Sequence, residues 1–387
     1  MRVLHVGKYY PPYRGGIETH LEVLCRELRR EVELEVVVAS PDRRDRVERV
    51  DGIDVTRIGT ACTLAGAPVC PGMVRKIRES DADIVHLHLP NPAAVLAYLA
   101  SGRRGRLVAS YHSDVVRQRV LDAAFQPIQD RLLDRCDAII SATPNYVRSS
   151  AVLSRYRDRC RVIPYGMPVE EFGRGAEEAE RVRARYGPRL VVSVGRLVYY
   201  KGFEHLIEAM REVDGTLLIV GDGPLRGALE ARIRDLGLRD RVFLLGKVDD
   251  TAGFYHAADV FVLASVARSE AFGIVQIEAM ACGTPVVNTS LDSGVPYVSR
   301  DGETGLTVPP ADPAALAAAV NRLLDDPDLR ARLGRAGRTR VREEFSQEVM
   351  TERMLRLYRE VLDGSAAART LTAGEPARPD LALLGGA

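Results

Sequence analysis

Short β-branched runs alternate with longer segments of helical period along almost the whole chain, and this alternation restricts the fold more than any other feature. A helix-length connection returns the chain to the end from which the strand started, so successive strands pair in parallel. In the first half the candidate strands are Val3–Val6, Glu35–Ala39, Asp54–Ile58, Ile84–Leu87, Leu107–Ser110, Ala138–Ser141 and Arg161–Ile163. Several are apolar enough to be covered on both faces. Helical segments fall between them, most clearly Glu18–Arg30, Pro92–Ala100 and Gln126–Arg135. A Pro/Gly/acidic stretch from Pro164 to Pro188 interrupts the pattern. It restarts with Leu190–Val194, Leu217–Val220, Val242–Leu244, Val260–Leu263 and Pro285–Val287, and closes in helices after Pro313.

Two doubly wound α/β domains are expected, with a ligand cleft facing the carboxyl ends of their strands. The expected boundaries are a first domain over 1–165, a linker over 166–188 and a second domain over 189–345. A helix over 346–362 has no strand after it and is expected to pack back on the first domain. Residues 363–387, rich in Ala, Gly and Pro, are expected to form a disordered tail.

Charge narrows the function. The chain of 387 residues carries 54 Lys+Arg against 53 Asp+Glu, a net charge of +1, which disfavours a general nucleic-acid binder. Residues 1–165 hold 26 basic and 20 acidic side chains, the remainder 28 and 33. The first domain is thus the one suited to face something anionic, such as a phospholipid surface or a lipid diphosphate. The six cysteines, at 25, 62, 70, 136, 160 and 282, form no Cys-x-x-Cys pair, which disfavours a zinc site and fits a reducing cytosol. The start of the chain reads as a buried strand rather than a signal peptide, and no run of 18 apolar residues exists to span a membrane. The uncharged run Ile58–Val74 reads as a loop. Backed by Arg75, Lys76 and Arg78, it is a candidate for resting on lipid.

Three junctions carry candidate chemistry. The first strand leads into Pro11-Pro12-Tyr13-Arg14-Gly15-Gly16-Ile17-Glu18 and then a helix, where two glycines let backbone amides approach an anion. In the second half Val191–Val194 leads to Gly195-Arg196-Leu197 and Lys201-Gly202. Arginine grips phosphate through two parallel bonds and lysine adds a compact charge, so Arg196 and Lys201 together suit a diphosphate without a metal. Strand Val260–Leu263 leads to Ser265 and to Glu270-Ala271-Phe272-Gly273-Ile274, with Glu278 further along the helix. The amides after Gly273 suit a phosphate, Glu270 suits hydroxyls and Glu278 a second set, such as a ribose diol. Only four of the 54 cations are lysine, Lys8, Lys76, Lys201 and Lys247, so Lys201 stands out in an arginine-rich chain. Asp81-x-Asp83 precedes a strand at its amino end, away from the expected cleft, and reads as structural.

These blocks in order, with Val220-Gly221-Asp222-Gly223-Pro224, resemble the retaining nucleotide-sugar glycosyltransferases of family 4 over roughly residues 1–362. His86-Leu87-His88-Leu89-Pro90-Asn91-Pro92, Tyr111-His112-Ser113-Asp114 and Ser293-Gly294-Val295-Pro296-Tyr297 resemble its bacterial surface-polysaccharide enzymes, many of them mannosyltransferases. The resemblance implies the GT-B fold, two Rossmann-like domains facing a central cleft. It implies transfer of a hexose, with mannose from GDP-mannose the first guess, to a glycan or polyprenyl-diphosphate-linked saccharide. No cofactor or metal is expected beyond the nucleotide sugar, and the expected location is cytoplasmic, peripheral on the inner face of the membrane.

Carried across by position, the resemblance puts Arg196 and Lys201 on the donor diphosphate, with Gly15 and Gly16 approaching from the first domain. Glu270, Ala271, Phe272, Gly273 and Ile274 line the sugar and phosphate, Glu278 holds the ribose, and Lys247 and Val248 pass beside the base. His112 joins Glu270, Arg196 and Lys201 as a catalytic candidate. His88, Asn91 and Asp114 are expected at the acceptor. The family's usual Gly or Pro after the first Glu is Ala271 here, which touches fine positioning only. Alternatives of the same fold are a UDP-sugar-dependent glucosyl- or N-acetylglucosaminyltransferase, a sugar-nucleotide epimerase or hydrolase, and a non-catalytic sensor.

Overall fold

A computed structural model describes residues 1–13, 15–64, 66–114 and 119–364. Two parallel sheets dominate it. The first has eight strands, β1 (Arg2–Val6), β2 (Glu33–Ala39), β3 (Arg46–Val50), β4 (Ile53–Ile58), β7 (Ile84–Leu89), β8 (Arg106–Tyr111), β9 (Ala138–Ser141) and β10 (Cys160–Val162), in the order β10-β9-β8-β7-β1-β2-β4-β3. A separate hairpin pairs β5 (Cys62–Leu64) with β6 (Ala67–Val69). The second sheet has the order β13-β12-β11-β14-β15-β16, from β11 (Leu190–Val194), β12 (Thr216–Val220), β13 (Val242–Gly246), β14 (Val260–Val262), β15 (Val286–Thr289) and β16 (Gly305–Val308).

In each sheet the chain winds outward from a central strand and then reverses, between β1 and β7 and between β11 and β14. A crevice opens at the carboxyl ends of the strands at such a reversal. The central strands are sealed on both faces: all six residues of β7 are buried, as are four of five in β11. Within the two large sheets of the described residues only β3 runs antiparallel, and it lies at the edge. It is an additional strand, and the exposed charges of Arg46-Val47-Glu48-Arg49-Val50 suit an unpaired edge.

Three segments differ from the sequence expectation. Ile58–Val74 is not a loop throughout: it forms the β5–β6 hairpin and the start of the helix Gly72–Glu79. Segment 166–188 contains the helix Ala176–Tyr186, which packs against Ala252–Ala257 of the second half. Strand β16 is an additional strand. The last helix, Gln347–Leu362, is capped by the Ser346 hydroxyl and packs on the first half's helix Gly16–Leu28. Of the expected tail, residues 365–387 lie outside the described residues. Asp81 and Asp83 hold the start of β1, Asp83 accepting from the Arg2 amide at 2.8 Å and Asp81 pairing with the Arg2 guanidinium.

Candidate functional site

The second crevice concentrates the chemistry. The Lys201 ammonium lies 2.6 Å from Glu270 Oε2, and both side chains are about nine-tenths buried. Ser265 donates to the same oxygen at 2.9 Å. The sequence folds this way because Gly202, at φ +65°, turns the chain where a Cβ would stand 2.1 Å from the Ala264 carbonyl. That turn brings the end of the β11 loop against the end of the β14 loop. A pair buried this far persists because each charge satisfies the other, and removing one partner leaves an unpaired ion in a dry site.

The helix Ile274–Ala281 begins beside this pair. Gly273 caps it at φ +76°, and its first amides leave the helix end without intrahelical acceptors. Phe272 is buried, Ala271 is half-buried, and the Ala271 carbonyl accepts from the Gly294 amide at 2.8 Å. On the same helix Glu278 accepts from the Tyr255 hydroxyl at 2.5 Å. Burial raises the Glu278 pKa, while the Tyr255 bond and the Lys201 charge pull it back. Arg196 is exposed, and its guanidinium has no ion-pair or hydrogen-bond partner among the described residues. Lys247 is exposed, and Val248 is half-buried against the apolar cluster that includes Tyr255.

Across from these groups the helix Gly16–Leu28 starts at exposed Gly15 and Gly16, and a Cβ built on Gly16 meets nothing within 4 Å. The loop before it is anchored by buried Arg57, which donates to the carbonyls of Tyr10 (3.2 Å) and Pro11 and to Glu48 (2.6 Å).

His112, at the end of β8, is 6% exposed. Its Nδ1 is 2.8 Å from the Tyr165 hydroxyl and its Nε2 is 3.1 Å from His88 Nδ1. Burial pushes its pKa well below the usual 6.5, so the ring is neutral. The Tyr165 ring packs on Phe272 with centroids 4.7 Å apart, which brings His112 near the Glu270–Ile274 loop of the other half.

The three acceptor candidates differ in burial and partners. His88 is 2% exposed, and its two ring nitrogens are bonded to His5 and His112. Asn91 is equally buried and caps the helix Pro92–Ser101 through the Ala94 amide, which commits its side-chain oxygen. Asp114 accepts from Tyr111 (2.9 Å) and Ser150 (2.8 Å) and lies 3.7 Å from Arg268 of the second half. Sequence reasoning missed Tyr255, Tyr165 and Arg268. Only the polar rarity of histidine inside apolar strands hinted at the buried ring cluster behind His112.

The fold and crevice define a two-domain nucleotide-sugar transferase architecture of the GT-B type. Residues 14–171 match the family Glycosyltransferase Family 4 and residues 176–340 match Glycosyl transferases group 1. The chain is 36% identical to the D-rhamnosyltransferase WbpZ of Pseudomonas aeruginosa, over 89% of this chain and 92% of that one. It is 31% identical to the O-antigen chain mannosyltransferase C of Escherichia coli, over 95% and 100%. Among solved structures, a sucrose-phosphate synthase from Thermosynechococcus elongatus superposes with a TM-score of 0.80 at 26% identity, over 94% of this chain and all of that one. The protein therefore belongs to glycosyltransferase family 4. Among the described residues no helix is long and apolar enough to cross a membrane.

Proposed function

We propose that this enzyme transfers a sugar of the mannose type, from GDP-mannose as the first candidate, to a glycan or lipid-linked saccharide in surface polysaccharide synthesis, with retention at the anomeric carbon. The relatives named for rhamnosyl and mannosyl transfer support the sugar class. The observation that carries the reading is the buried Lys201–Glu270 pair beside the Gly273 helix start.

As the bond from the anomeric carbon to the phosphate oxygen breaks, charge grows on the diphosphate. Lys201, Arg196 and the amides after Gly273 meet that charge already in position, which is where such groups gain most. Both bonds to Glu270 fall on Oε2, which leaves Oε1 to accept from a sugar hydroxyl. Glu270 is held by a lysine and a serine and serves as a binding group, not a covalent nucleophile of the glycosidase kind. The acceptor oxygen attacks on the face the phosphate leaves, the new carbon–oxygen bond forms, and the acceptor proton passes to the departing phosphate oxygen. His112 lies at the sugar with Tyr165 beside it. Glu278 takes the ribose diol, and Lys247 with Val248 flank the base. Cations and helix amides supply what a metal would, so chelator leaves the rate unchanged. The β5–β6 hairpin, with Leu64 exposed, is the element we propose for lipid contact.

A screen of GDP-, UDP- and ADP-sugars by thermal shift, followed by a transfer assay, tests this. The expected result is GDP-mannose stabilisation of about 2.7 kcal/mol at 100 times its Kd, with loss of transfer in Glu270→Ala. Transfer at the wild-type rate by both Glu270→Ala and Lys201→Ala would remove the donor site from this crevice.

A further inference from the structure

Five of the seven histidines converge behind the cleft, and four of them join a continuous hydrogen-bonded file. Ser110 Oγ lies 2.8 Å from His86 Nε2, and His86 Nδ1 lies 2.6 Å from the Tyr358 hydroxyl. Tyr358, on the last helix, is 3.3 Å from His5 Nε2. His5 Nδ1 is 3.0 Å from His88 Nε2, His88 Nδ1 is 3.1 Å from His112 Nε2, and His112 Nδ1 is 2.8 Å from Tyr165. The members come from β1, β7, β8, the last helix and the crossing segment at Tyr165. Every one is buried except Tyr165, the end that meets the donor loop.

A neutral imidazole has one donor and one acceptor nitrogen, so each ring that accepts on one side must donate on the other. A hydroxyl has one hydrogen, and a break at Tyr358 would leave that hydrogen buried without an acceptor. The file therefore points one way throughout. With Ser110 donating first, all four rings carry hydrogen on Nδ1 and His112 donates to Tyr165, whose own hydrogen then faces outward. With Tyr165 donating inward, all four carry hydrogen on Nε2. Burial lowers the pKa of His5 to about 3 and those of His86, His88 and His112 well below 6.5, in keeping with neutral rings.

The other titratable groups facing the file are His20, from the helix Gly16–Leu28, and Cys25, near Tyr358. The His20 ring stands edge-on to His112 at 5.3 Å, and burial lowers its pKa to about 4. No carboxylate or cation forms an ion pair with any of these rings among the described residues. A shared metal ion is the competing arrangement, since His5, His86 and His88 have nitrogens within 4.8 Å of one another, as do His20, His88 and His112. The pairs bonded nitrogen to nitrogen are close to parallel, 28° between His5 and His88 and 11° between His88 and His112, while His5 and His86, joined through Tyr358, are tilted by 40°. Parallel rings bonded nitrogen to nitrogen do not converge on one ion.

We propose that this file is a two-state wire whose polarity sets the tautomer of His112 and the direction of the Tyr165 hydroxyl at the cleft. His5, His88 and Tyr358 act as positioning residues, and the last helix reaches the site through them. The link to transfer rests on the function proposed above; the wire does not.

Long-range proton–nitrogen spectra of the full chain with nitrogen-15 histidine read each tautomer at pH 7.5. The expected wild-type result is one shared tautomer for His5, His86, His88 and His112. Tautomer populations that differ from ring to ring, a protonated ring or stoichiometric zinc in the purified protein overturns the wire, and this measurement needs no variant to fold. Tyr358→Phe keeps the ring but cuts the file, and it is expected to change the His112 tautomer populations. Unchanged His112 signals overturn the reach of the last helix. In the same variant kcat is expected to fall about fivefold, the equivalent of one hydrogen bond, at unchanged donor KM. An unchanged kcat overturns the link to transfer.

Discussion

The two halves place opposite chemistry at the same topological point. At the reversal between β1 and β7 the crevice floor is filled by neutral rings bonded to one another. At the reversal between β11 and β14 it holds a lysine–glutamate pair, a helix start and an unpaired arginine. The difference shows how one architecture is used twice. Neutral rings that satisfy each other can seal a crevice, because no charge is left to hydrate. An ion pair beside free amides leaves unspent hydrogen-bonding capacity and keeps its crevice suited to an anion.

The sharpest way to break that contrast is Lys201→Ala. It removes the charge proposed to meet the diphosphate and strands Glu270, so kcat is expected to fall on the order of 10²–10³-fold and stability by about 3–5 kcal/mol. Transfer kinetics and urea unfolding read the two losses, and a variant as stable as wild type would mean the pair is solvated. Acid should act on the other half. The buried histidines are neutral when folded but protonate near 6.5 when unfolded, so their stabilisation is complete above that pH and is lost as pH falls towards the folded values, about 4 for His20 and about 3 for His5. Each costs about 1 kcal/mol by pH 5.5. The urea midpoint is therefore expected to drop steeply between pH 6.5 and 5.5, and a flat profile would show the rings already charged.

Smaller changes sharpen the same comparison. Tyr255→Phe removes the hydroxyl that helps keep Glu278 ionised, so the Glu278 pKa rises further and donor KM increases by about 1.5–3 kcal/mol equivalent, most visibly at acid pH. Isothermal titration with the nucleotide measures it. Arg268→Ala cuts the contacts to Ser149 and Asp114 between the halves. Being exposed, that tie is expected to contribute only about 0.2–1 kcal/mol, read as a small shift in the thermal midpoint that salt abolishes.

The alternation of runs made the sheets legible, because strands buried on both faces are apolar without interruption, as in β7 and β11. Strand β3 escaped for the opposite reason, since an edge strand carries charges on both sides of the pleat. The donor motifs were legible because each is continuous in sequence, from Gly195 to Lys201 and from Glu270 to Glu278. Tyr255 and Tyr165 were not, because their roles depend on partners 23 and 53 residues away. The burial of His88 was not legible for the same reason: its place at a strand end suggested access, while the packing of β1 against β7 closes it in.

The chain crosses between the halves twice, at Met167 and again at Ser346, and the two crossings are bonded to each other. Met167 donates its amide to the Phe345 carbonyl at 3.0 Å and accepts from the Gln347 amide at 3.0 Å. Gly166 permits the approach, for a Cβ there would stand 2.7 Å from the Ser346 carbonyl. A single thread would let one half swivel freely. Two threads laid side by side resist twisting more than bending, so any movement of one half against the other is expected to follow a leaf hinge rather than a ball in a socket.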